Sequence, residues 1–204
     1  MSGDIPGTTT KPNATLGGWL LRDISILVSF TGIVIGLEWL AGAAPPIWVS
    51  IPLWIIGFVL AYSYTYILHE WGHYIGAQLS ASQMPLAPYK GVLIGYFDIQ
   101  KHSRQQFLWL SWGGVVAYTS SACLLAVIYL SGILPNMAPG LALAGLAFLV
   151  QSWAVDLPQI VKVHGGADAQ MTNQEGATGP VIIRRTVQTW SVLLAALVLW
   201  HWFS

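Results

Sequence analysis

From Phe107 to Leu134 the chain carries not one Lys, Arg, Asp or Glu, and the same is true from Ile47 to Leu68. Each run exceeds the roughly 20 helical residues needed to cross about 30 Å of hydrocarbon. A chain of 204 residues could hide such runs from water only under a polar surface, and only 8% of its residues are charged. Soluble domains carry about 25%. In lipid, each backbone N–H and C=O must be satisfied within its own segment, which favours the helix. The expected fold is therefore an all-α polytopic membrane protein.

Five stretches qualify as spans: about Leu20 to Ala41, Ile47 to a more polar end near Ser80, Phe107 to Leu134, Pro139 to Val155, and Thr186 to Phe203. Two short proline-marked links, Gly42–Pro46 and Pro135–Ala138, imply antiparallel hairpins of the first with the second and the third with the fourth. Residues 1–18 are polar, with no apolar core of a signal peptide, and read as a disordered lead before one transmembrane domain over 19–204. Lys90 to Gln100 alternates loosely and predicts a small β segment in a loop. A mean hydropathy of +0.62, with 11 Trp and 8 Tyr, suits contact with a bilayer. Zero formal net charge gives no field for nucleic acid, and the single Cys123 excludes an intrachain disulfide.

All eight cations fall on one side of this topology. Lys11 and Arg22 lie before or at the start of the first span. Lys90, Lys101 and Arg104 lie between the second and third, and Lys162, Arg184 and Arg185 between the fourth and fifth. The positive-inside rule then makes the N-terminus cytoplasmic and the C-terminus external, as in a multi-pass protein of a bacterial inner membrane.

The chemistry concentrates in His69-Glu70-Trp71-Gly72-His73, at the inner end of the second span. Histidines four apart share a helical face, so both rings can reach one metal ion. The intervening glutamate can serve as general base toward an activated water, the logic of HExxH zinc hydrolases. Ionisable groups at the edge of a span are costly to place and mark function by default. A catalytic zinc of this kind takes a third protein ligand. On the same side stand Asp98, His102, Asp156, His164 and Asp168, whereas Glu38 and His201 fall near the opposite ends of their spans. Asp156 closes the fourth span, and Asp168 follows two glycines that let the backbone turn near a metal. Gly113-Gly114 and the Thr119-Ser120-Ser121 cluster permit close helix packing.

HEWGH on a span, a cytoplasmic segment that follows it, a helix beginning Ser111-Trp112-Gly113-Gly114 and a late aspartate together resemble the site-2 protease family. That resemblance implies one Zn²⁺ ion held by His69, His73 and a third ligand, with Glu70 catalytic. It further implies membrane-anchored protein substrates cut near the cytoplasmic face. Gly165-Gly166-Ala167-Asp168-Ala169 with Thr172 resembles a Ser-Asp-Ala variant of the family's second motif, which makes Asp168 the third ligand and Asp156 a helper. The usual Asn-Pro-Asp-Gly string is missing, so Asp156 stays open as the alternative ligand. An inactive, protease-like scaffold that binds metal or partner helices is the rival expectation. A di-iron oxidase would need about eight histidines against the five present, and no paired broken spans point to a transporter.

Overall fold

The computed structural model describes residues 14–89 and 93–176 and, beyond them, 183, 184, 187, 188 and 191. Four long helices, α1 (Leu16–Ala41), α2 (Ile47–Leu79), α3 (Arg104–Ser131) and α4 (Ala138–His164), are each long and apolar enough to cross a membrane. A short helix, α5 (Ala169–Gly176), follows α4. The protein is thus a helical membrane protein, as expected. The fifth expected span, Thr186 to Phe203, lies outside the described residues apart from isolated positions.

Small residues draw α2, α3 and α4 together. Gly57, Ala61, Thr65, Gly72 and Gly76 are buried along α2, and His69 takes its place in the same stripe. A methyl group on Gly72 would overlap the Gly113 carbonyl oxygen, and one on Gly76 would overlap that of Trp109. Helices approach this closely only where side chains are absent, and dispersion then replaces the hydrophobic drive that lipid cannot supply. Gly140 of α4 rests in the same way on the Trp54 backbone of α2. Burial separates the centre from the periphery: 44% of the apolar window of α4 is buried, against 6% for α1.

α1 is fastened mainly at its two ends. Near the HEWGH segment, Asp23 is 2% exposed, ion-paired to Arg22 at 2.7 Å, and accepts the Trp71 indole N–H at 2.8 Å. The Trp19 indole donates to the Ala87 carbonyl at 3.0 Å, which ties the same helix end to the α2–α3 loop. At the opposite end, Glu38 accepts the Asn136 and Met137 backbone N–H groups at 3.0 Å each and the Asn136 side-chain amide at 2.8 Å. Those backbone groups precede the first turn of α4, whose N–H groups have no helical partner. Glu38 therefore fastens the link that leads into α4 from another helix. Glu38→Ala is expected to lower unfolding free energy by about 2–3 kcal/mol, read from unfolding curves in detergent.

Three boundaries differ from the sequence reading. α1 begins at Leu16, inside the expected lead, because Thr15 caps it by accepting the Gly18 N–H. α4 continues nine residues past Val155, through Pro158 to His164. Its last turns look polar in sequence, yet they bury Gln159, Ile160 and Val163 on the inner face. The expected β segment is reduced, among the described residues, to an isolated antiparallel bridge between Leu86 and Gly95. Lys90 to Val92 lie outside the described residues.

Candidate metal and catalytic site

The two histidines of α2 converge. Their Nε2 atoms are 3.0 Å apart and their ring centroids 4.3 Å apart, inclined at 72°. Two nitrogens bound tetrahedrally to one zinc at about 2.0–2.1 Å would lie roughly 3.3 Å apart, so the pair is close to the spacing a shared ion needs. His73 Nδ1 donates to the Leu110 carbonyl at 2.9 Å, which leaves its Nε2 lone pair for a metal. His69 is 9% exposed, packed against Tyr118 and Phe148 at 5.5 Å between centroids. Its Nδ1 is buried without a hydrogen-bonded partner among the described residues.

Gly114 makes room for this arrangement. A methyl group there would overlap the His73 ring itself. With Leu110 holding one nitrogen and the α2–α3 backbones in contact on the same flank, the ring has little room to retreat. The Gly-Gly pair is a packing feature in sequence; in space its second member is the floor under the His73 imidazole.

Beside the histidines opens a cavity of about 250 Å³ lined by Glu70, His73 and Asp156. Met84, Phe97 and Phe107 supply an apolar part of its wall, and Gln159 and Asn173 add two amides that the sequence reading did not single out. Glu70 is 8% exposed. The α2–α3 loop, α3, α4 and α5 all contribute, so the cavity forms only when the bundle closes around the end of α2.

The other candidates lie elsewhere. Asp168 is exposed and accepts the Met171 N–H at 2.8 Å, capping α5, and it lines a separate surface cavity with His102 and Arg104. His102 has both nitrogens engaged, Nε2 accepting the Gln83 N–H at 3.0 Å and Nδ1 meeting the Asp98 carbonyl at 2.7 Å. Asp98 pairs with Lys101 at 3.1 Å, and that ammonium holds its carboxyl below the usual range. His164 is exposed at the end of α4, Glu38 is bound to Asn136 and Met137 at the far end, and His201 lies outside the described residues. Among the described residues, no three His, Cys, Asp or Glu side chains are already gathered tightly enough to hold an ion. Two imidazoles converge, and the Glu70 and Asp156 carboxylates share a cavity with one of them, His73. No family model, curated protein or solved structure matches the chain.

Proposed function

We propose that the chain is a zinc-dependent intramembrane endopeptidase of the site-2 type, hydrolysing peptide bonds of membrane-anchored proteins near the cytoplasmic face. One observation carries this reading: paired Nε2 atoms beside a cavity shared by Glu70, His73 and Asp156, at the end of a membrane-spanning helix. His69, His73 and Asp156 would hold the ion. Asp156 is preferred to Asp168 because it faces the cavity, while Asp168 is spent on a helix cap. A divalent ion there supplies Lewis acidity toward water and toward the scissile carbonyl. Glu70 takes the proton of the attacking water and returns it to the leaving amine. Met84, Phe97 and Phe107 offer apolar contacts to a substrate segment beside the reacting groups.

The one-sided cations support a cytoplasmic site and N-terminus, in keeping with a bacterial inner membrane.

Reconstituted with single-span proteins in bilayers, the purified chain is expected to cut near the inner end of the span. A chelator should stop the reaction and added zinc restore it. The scaffold reading has one observation in its favour, the lack of a ready-made three-ligand group among the described residues. Stoichiometric zinc without cleavage of any substrate would favour the scaffold, and failure to bind zinc would remove the hydrolase.

A further inference from the structure

We propose that the groove between the start of α3 and the end of α4 binds the headgroup of an anionic phospholipid, whose acyl chains lie along the outer face of α3. The groove has a volume of about 650 Å³ and is lined by Arg104, Gln105, Trp109, Trp112 and His164, among others. Its charge is the first argument. Arg22, Lys101 and Lys162 are each paired with a carboxylate, at 2.7, 3.1 and 3.2 Å. Arg104 is exposed and has no carboxylate partner among the described residues. One terminal nitrogen donates to the His164 carbonyl, bridging α3 to α4, and the remaining N–H groups have no hydrogen-bond partner among the described residues. A phosphodiester accepts two such N–H groups from one guanidinium.

The surroundings supply the second argument. Trp109 and Trp112 are 47% and 46% exposed one and two turns into a spanning helix, at the depth where indoles meet headgroups. Gln105, Trp109, Trp112, Val116, Cys123 and Val127 are all exposed and recur at helical spacing, so they form one outward stripe. A cationic head over an apolar track matches an amphiphile. Free phosphate would gain nothing from the track, so the occupant is a lipid. The site is independent of the hydrolase reading.

Full-length protein in detergent, titrated with phosphatidylglycerol or phosphatidylcholine and followed by native mass spectrometry, tests the inference. Phosphatidylglycerol should bind about five-fold more tightly than phosphatidylcholine, as one well-placed cation implies. Arg104→Gln should erase that preference. Lys101→Gln, which removes an exposed, ion-paired cation from the same side, should keep it. An unchanged preference in Arg104→Gln, or an equal loss in Lys101→Gln, would overturn the site. So would efficient cross-linking in bilayers between Val116→Cys, in a Cys123→Ala background, and cysteines placed at 187–200, because the chain itself would then fill the track.

Discussion

Gly114→Ala is expected to lower divalent-ion affinity by about 100-fold or more while the protein stays folded. The added methyl falls on the His73 ring, which is held by the Leu110 carbonyl on one side and faces His69 Nε2 at 3.0 Å on the other. A stiff imidazole has no flexible end to swing aside, so the whole ring must move. Disturbing groups that merely orient a ligand costs 10- to 100-fold in metal affinity, and displacing the ligand costs more. The overlap also costs packing energy, about 1–3 kcal/mol for an added methyl in a filled interior, and helix propensity returns about 1 kcal/mol of it, so thermal stability should fall only modestly. A loss of ion affinity far larger than the loss of stability therefore separates a role at the site from a role in packing. Gly32→Ala is the control: nothing lies within 4 Å of its added methyl, and ion affinity should not change. Competition titration against a chromophoric chelator reads both variants. Wild-type affinity in Gly114→Ala would show that His73 is not a ligand in the orientation described.

Glu70→Gln should reduce proteolysis by about 10²–10⁴-fold and leave ion affinity within a few-fold of wild type. The amide keeps the size of the carboxylate in a buried position, so the cavity keeps its shape. What it loses is the capacity to accept a proton from water and hand it on, a function worth about 10²–10⁴-fold in rate. If Glu70 were instead a ligand, the same substitution would empty the site, and metal content and activity would fall together. If it were structural, thermal stability would fall and activity would follow in proportion. Metal content, melting temperature and cleavage rate measured on one preparation separate the three outcomes.

The spans and the histidine pair were legible in sequence for a simple reason. Hydropathy and the 3.6-residue period are local quantities, and His69 and His73 are four residues apart on one helix. Four helices and the convergence of the two Nε2 atoms follow that reading closely. What depends on a distant partner was not legible. Glu38 looks like a lone acid near a helix end because its partner, Asn136, lies 98 residues further on. Asp23 is a charge at the start of an apolar run until Trp71 and Arg22 close over it. Gly114 announces a lack of side chain, and only the folded bundle shows that an imidazole takes the space.

The carboxylates illustrate the same limit. Two glycines before Asp168 suit a turn at a metal and a helix cap equally well, and the structure uses them for the cap. In sequence Asp156 stands at the inner end of a short fourth span, because Pro158, Gln159 and Lys162 lower the hydropathy beyond it. With α4 running on to His164, Asp156 becomes an interior helical residue that lines the cavity.

Zinc content and affinity of the purified wild type, measured beside His73→Ala, Asp156→Ala and Asp168→Ala, test the central claim most directly. One ion per chain is expected in the wild type and in Asp168→Ala, with severe loss in the other two variants. A wild type that binds no zinc, or an Asp156→Ala variant that holds it as tightly as the wild type, would contradict the site described.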